Sequence, residues 1–130
     1  MGVVFVSQAV EPAMKERQSG KIINIASIAA RQGGAGIPHY NASKAAVVSW
    51  TQSHALQLAP YQVNVNAICP GGTDTEGFRA AFNTKGRSEN PILMDPQEIA
   101  QVALFLASDA SSAITGTAID SFGGSNPIFS

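Results

Sequence analysis

Three short β-branched runs, each ending in a turn and separated from the next by a stretch with helical spacing, constrain this 130-residue chain more than any other feature. Lys21 to Ala26 (Lys-Ile-Ile-Asn-Ile-Ala) follows a glycine and is mostly apolar. A short, mostly apolar, β-branched run of this kind reads as a strand buried on both faces, as in a parallel sheet. Val63 to Ile68 is a second such run and leads into Cys69-Pro70-Gly71-Gly72. Thr117 to Phe122 is the third and closes on Gly123-Gly124.

The intervening segments supply the helices. Val6, Val10 and Met14 recur every four residues, so residues 1 to 17 are predicted helical, with Pro12 as a kink position and Gln18-Ser19-Gly20 as the stop. Residues 31 to 38 hold Gly33, Gly34, Gly36 and Pro38, a loop composition. An alanine-rich helix from about His39 to Leu58 follows and stops at Pro60. Thr73 to Pro91 reads as a polar loop with a short helix around Gly77 to Phe82. Asp95-Pro96-Gln97-Glu98 combines a capping side chain, proline at the first helical position and Glu at the third, predicting a helix to about Ser108. Helix and strand thus alternate three times, the order that builds a parallel α/β sheet with right-handed crossovers, and residues 1–130 read as one domain.

Composition narrows the classes. Eight basic against nine acidic residues give a formal net charge of -1, which points to neither nucleic acid nor an anionic membrane surface. No apolar stretch approaches the roughly 20 residues needed to span a bilayer, and the opening Met1 to Val6 lacks the basic start of a signal peptide. The single cysteine, Cys69, has no internal partner and fits a reducing, cytoplasmic setting as a small buried hydrophobe. His39 and His54 lie fifteen residues apart with no carboxylate or cysteine at ligand spacing, so no metal site is expected.

Open parallel sheets bind ligands beyond the carboxyl ends of their strands, where Ser27 and the Pro70-Gly71 turn fall. Tyr40 and Lys44 are four residues apart and share one helical face. Alone, such a pair reads as a solvated helical pair. Yet a phenol works as general acid or base near neutral pH only when a cation favours its phenolate, and Lys44 brings an ammonium to that face. Ser27 can then hydrogen-bond a substrate oxygen while Tyr40 exchanges a proton and a hydride moves at carbon, chemistry that needs a bound hydride carrier. The glycines at 33, 34 and 36 do not form a GxGxxG turn and receive no cofactor role. No GxSxG elbow surrounds Ser27, which argues against a serine hydrolase.

Four segments in order, Gly20-Lys-Ile-Ile-Asn-Ile-Ala-Ser27, Tyr40-x-x-x-Lys44, Val63-Asn-Val-Asn-Ala-Ile-Cys-Pro-Gly71 and Asp95-Pro-Gln-Glu-Ile-Ala through Phe105-Leu-Ala-Ser-Asp109, resemble the short-chain dehydrogenase/reductase family. Ser27 stands thirteen residues before Tyr40, as in that family. The resemblance implies a partial Rossmann-like doubly wound sheet and interconversion of a secondary alcohol and a ketone with NAD or NADP. It makes Tyr40 the proton donor or acceptor, Ser27 the partner of the substrate oxygen, and Lys44 both the modulator of Tyr40 and a ligand of the nicotinamide ribose. It also places Pro70, Gly71, Gly72, Thr73 and Thr75 around the nicotinamide carboxamide and phosphate. Polyols, sugars and 3-oxoacyl thioesters are all substrates that the family implies. The helices at 1 to 17 and 39 to 58, with Trp50, would form a homodimer or homotetramer.

The family's opening strand, its Thr-Gly-x-x-x-Gly-x-Gly turn and its Asn-Ala-Gly strand have no counterpart in this sequence. By the resemblance the chain corresponds to the second half of the domain, and a further catalytic asparagine falls just before its start. The second expectation is therefore a truncated fragment or pairing-only subunit, inactive alone, whose first strand is an exposed apolar edge. Relatives end the last strand in Val-Asp-Gly-Gly, where this chain has Ser121-Phe122-Gly123-Gly124.

Overall fold

The computed structural model describes residues 2–33 and 37–124. Met1 of the first predicted helix, and Gly34 and Gly36 of the predicted loop, lie outside the described residues.

Helix α1 runs Gly2–Arg17 with Pro12 inside it. It closes in a Schellman arrangement: Gln18 adopts a positive φ of 53°, its N–H donates to Lys15 O, and Ser19 N–H donates to Met14 O. Gly20 follows at once, because any Cβ there would strike the Met14 side chain. Strand β1 is Gly20–Ile25, α2 is Pro38–Leu58 and β2 is Val63–Pro70. The short α3 is Glu76–Phe82, α4 is Pro96–Ala107 and β3 is Ala118–Ser121. The sheet is parallel throughout in the order β1-β2-β3, with Ile22 opposite Val65 and Pro70 opposite Ser121.

The predicted alternation and parallel sheet are thus present, with boundaries within a residue or two. One expectation is corrected. Strand β1 is not buried on both faces: Ile22 and Asn24 are buried, whereas Ile25 is 48% exposed. Ile22 and Asn24 face α2, where Ile22 packs with Ala55 and Leu58 and Asn24 Nδ2 donates to Thr51 Oγ1 at 2.9 Å, whereas Ile25 alternates to the opposite face of this edge strand. The central strand β2 is the one enclosed on both sides, with Val63, Val65, Ala67, Ile68 and Cys69 all buried.

The core forms where α2 lies across the sheet. Ala55 and Leu58 of α2 pack on Ile22, Val63 and Val65, with Met14 and Tyr61 sealing the edge. Nearer the carboxyl ends of the strands, Val48 packs with Ala26, Cys69 and Phe122. Side chains alternate across a strand, so Asn66 and Ile68 face the side on which α4 buries Leu106. No described helix is long and apolar enough to cross a membrane.

Candidate active site

The site is assembled at the carboxyl edge of the sheet. Beyond β1 the chain passes through buried Ala26, whose N–H donates to Ile68 O at 2.8 Å, and reaches Ser27 in extended conformation. Ser27 caps a single 3₁₀ turn, Ile28–Ala30, its Oγ accepting from Ala29 N–H at 3.2 Å. A hydroxyl that accepts keeps its own hydrogen for donation, so the cap fixes Ser27 and leaves its donor function intact. Packing of Ile28 and Ala30 with Val47 and Val48 seats this turn against α2.

Helix α2 opens on Pro38 at its first position, which places Tyr40 in the first turn with 39% of its surface exposed. Lys44 lies one turn further. Its Nζ is 5.6 Å from the centroid of the Tyr40 ring and donates to the carbonyl of Ile25 at 3.2 Å. Strand end, tyrosine ring and ammonium therefore meet, two residues upstream of Ser27 in the chain. A groove of about 580 Å³ adjoins Lys44, lined by Val3, Val47 and Trp50 among others.

The Pro70 to Thr75 turn is built by close backbone approach. Gly71 N–H donates to Ser121 O at 2.9 Å, and a Cβ on Gly71 would stand 3.2 Å from Phe122 Cα. At Gly72 a Cβ would lie 2.9 Å from Leu93 Cδ2, while Gly72 O accepts from Met94 N–H at 2.9 Å. Both glycines thus have a packing reason within the chain itself. The Thr73 hydroxyl donates to Gly71 O at 3.1 Å, and Thr75 caps α3 by accepting from Phe78 N–H at 3.1 Å.

Between these two threonines lies an anchor that local spacing did not reveal. Asp74 accepts from Arg79 Nη1 at 2.6 Å and from Arg87 N–H at 3.0 Å, against Gly86 at a φ of 85°. The Arg87 amide and then the Arg79 guanidinium hold the Asp74 carboxyl below its ordinary range. Burial pushes the Cys69 thiol up, in keeping with an inert packing role. Fully buried His54 reaches Glu11 of α1 at 3.2 Å. Among the described residues no group of three or more His, Cys, Asp or Glu side chains could hold a metal ion.

A parallel α/β sheet that brings Tyr40 and Lys44 together at the carboxyl end of β1 is Rossmann-like in its architecture. The family model described as enoyl-(acyl carrier protein) reductase matches residues 1–126, and the chain belongs to the short-chain dehydrogenase/reductase family. It is 39% identical over 128 residues to the 3-oxoacyl-[acyl-carrier-protein] reductase of Thermotoga maritima, covering 95% of this chain and 52% of that one. Among solved structures, a 3-oxoacyl-[acyl-carrier protein] reductase from Brucella melitensis with bound NAD superposes with a TM-score of 0.76 at 34% identity, over 92% of this chain and 45% of that one. A protein assigned as an NAD(P)-dependent gluconate 5-dehydrogenase from Beutenbergia cavernae, solved with NADP, gives 0.81 at 34% identity, over 91% of this chain and 50% of that one. The chain spans about half the length of the curated relatives it matches.

Proposed function

We propose that this chain supplies the catalytic half of a short-chain NAD(P)-dependent oxidoreductase that interconverts a secondary alcohol and a ketone. The observation that carries the reading is Lys44, whose ammonium lies by the Tyr40 ring and is tied to the strand end that leads to Ser27. In the oxidative direction the Tyr40 phenolate takes the hydroxyl proton as a hydride leaves the carbinol carbon; in reduction the phenol returns it to the forming alkoxide. Ser27 donates its remaining hydrogen to the same oxygen, and the Lys44 ammonium stands beside the Tyr40 ring where the proton is exchanged.

The donor set fits a nicotinamide nucleotide. Lys44 spends one of its three N–H groups on Ile25 O, which leaves two for ribose hydroxyls. Backbone groups at Pro70, Gly71 and Gly72, with the side chains of Thr73 and Thr75, would meet the carboxamide and phosphate end. NAD or NADP, as bound by the relatives' structures, would accept or deliver the hydride. The names of the relatives favour a 3-oxoacyl thioester over a sugar acid as substrate.

A second reading concerns the chain by itself. The free edge of β1, with Ile25 exposed, and the lack of a glycine-rich phosphate turn in these 130 residues favour a chain that needs a cofactor-binding half, whether in one polypeptide or two. Exposed Phe5 and Val6 on α1 and the groove beside Trp50 support self-association into a dimer or tetramer through α1 and α2.

Titration of the 130-residue chain with NADH and NADPH, followed by nicotinamide fluorescence, tests the second reading. Very weak or absent binding is expected, and micromolar affinity would sink it. The catalytic reading is tested by mixing the chain with the unmatched N-terminal half of the Thermotoga maritima reductase and assaying reduction of acetoacetyl thioester and of 5-ketogluconate. Turnover of either is expected; a well-folded, cofactor-binding complex with no turnover of any ketone counts against it.

A further inference from the structure

The turn that presents Ser27 is fastened at its far end by a side chain to which none of the family motifs assigns a role. Arg31 closes the 3₁₀ turn, its N–H donating to Ile28 O at 2.8 Å. Its guanidinium then spans to β3, with Nε donating to Asp120 Oδ1 at 2.8 Å and Nη2 to Ala118 O at 2.7 Å. The two partners are 89 and 87 residues away in sequence, so this single fork joins the turn after β1 to the opposite edge of the sheet. The next residue, Gln32, accepts at its carbonyl from Asn41 Nδ2 at 3.2 Å, and Asn41 is the neighbour of Tyr40. The segment from Ser27 to Gln32 is therefore held between β3 on one side and the first turn of α2 on the other.

We propose that Arg31 and Asp120 form a positioning pair that fixes Ser27 relative to Tyr40 for the reaction. The inference rests on the catalytic reading given above. Its physical basis is the fork geometry: a planar guanidinium that meets a carboxylate and a backbone carbonyl together restrains direction as well as distance, which a lysine in its place does not. Both side chains are partly exposed, 29% for Arg31 and 35% for Asp120, so the pair adds little to global stability and its substitution is compatible with folding. Its contribution lies in alignment, where a displacement of an ångström at a reacting group is enough to slow turnover.

The test compares Arg31→Gln, Arg31→Lys, Asp120→Asn and the exchanged double variant Arg31→Asp/Asp120→Arg. Amide hydrogen exchange on the 130-residue chain reads the turn directly. Ala29, Ala30 and Arg31 amides are expected to exchange faster in Arg31→Gln, while those of β2 stay as they were. In the complemented protein kcat should fall about tenfold in Arg31→Gln with the KM for cofactor unchanged, Arg31→Lys should fall between, and the exchanged pair should recover part of the loss. A loosened turn with full turnover overturns the inference, and so does an unchanged turn. A parallel fall in kcat and rise in cofactor KM indicates general damage and also counts against it. If the unsubstituted complex binds cofactor but is inert, the catalytic reading has failed and this one with it; if it is active and Arg31→Gln matches it, only the positioning role falls.

Discussion

Lys44 Nζ donates to the carbonyl of Ile25 across 3.2 Å, mooring the second turn of α2 to the last residue of β1. The bond uses a carbonyl at the carboxyl end of an edge strand, where no further strand hydrogen bond competes among the described residues. It also holds the ammonium 5.6 Å from the Tyr40 ring, so one side chain links the strand that leads to Ser27 with the proposed acid/base.

Tyr40→Phe should lower turnover of the complemented protein at least about a hundredfold, since it deletes the exchangeable proton, with cofactor affinity little changed. Lys44→Met should lower kcat and weaken cofactor binding together. Steady-state kinetics with a parallel fluorescence titration separate the two. Substantial residual turnover in Tyr40→Phe would refute the assignment of Tyr40.

A second pair ties the two helices on the α1 side. Glu11 accepts from Lys15 in the next turn and from buried His54 at 3.2 Å, and the Lys15 bond, with His54 adding to it, holds its carboxyl below the ordinary range. Glu11→Ala leaves a fully buried imidazole nitrogen without that partner, which should cost about 1–3 kcal/mol. His54→Leu removes the need for the partner, so Glu11→Ala in that background should cost much less. Urea unfolding of the four proteins checks this, and an equal cost in both backgrounds would show that the residues are not coupled.

These pairs also show where sequence reading stopped. The strands, the helices and the capped start of α4 were legible because their signals are local: β-branched runs, periodic apolar positions, Asp-Pro-Gln-Glu. Tyr40 and Lys44 were legible because four residues is a helical contact distance. The bonds of Glu11 with His54, of Arg31 with Asp120 and of Asp74 with Arg79 and Arg87 were not, since they span 43, 89 and 5 to 13 residues and depend on how α1 meets α2, how β3 lines up with β1, and how a polar loop folds back. The exposure of Ile25 escapes a local reading for a related reason. A mostly apolar run reports the burial its strand would have inside a sheet, whereas among the described residues β1 has a neighbouring strand on one side only.

At the start of α4, Asp95 Oδ1 accepts from Gln97 N–H at 2.9 Å and Glu98 Oε2 accepts from Asp95 N–H at 2.7 Å, a reciprocal capping box. The ion pairs of Arg87 with Asp95 and Glu98 are long and exposed and add little. Asp95→Ala should therefore lower stability by about 1 kcal/mol through the cap alone, and Asp95→Ser should restore most of it. Thermal unfolding followed by circular dichroism measures both; a serine variant no better than alanine would place the effect in the charge instead of the cap.

Asp74 makes the loop after β2 sensitive to acid. The Arg87 amide and the Arg79 guanidinium lower its folded pKa below the ordinary 3.8, so the stabilisation from ionised Asp74 is fully present above that value. It is lost as pH falls through the lowered folded value, because the unfolded chain then binds the proton first. Asp74→Asn lacks this titration. Hydrogen exchange across residues 74 to 90, corrected for the intrinsic pH dependence, should show the native loop better protected than Asp74→Asn at about pH 6, with the difference closing progressively as the pH is taken below 3.8. A difference of the same size at both pH values would mean that Asp74 holds the loop by shape and not by charge. The same loop carries Thr73 and Thr75 into the proposed cofactor end of the site, so in the complemented protein its loosening should appear as weaker cofactor binding in Asp74→Asn at neutral pH.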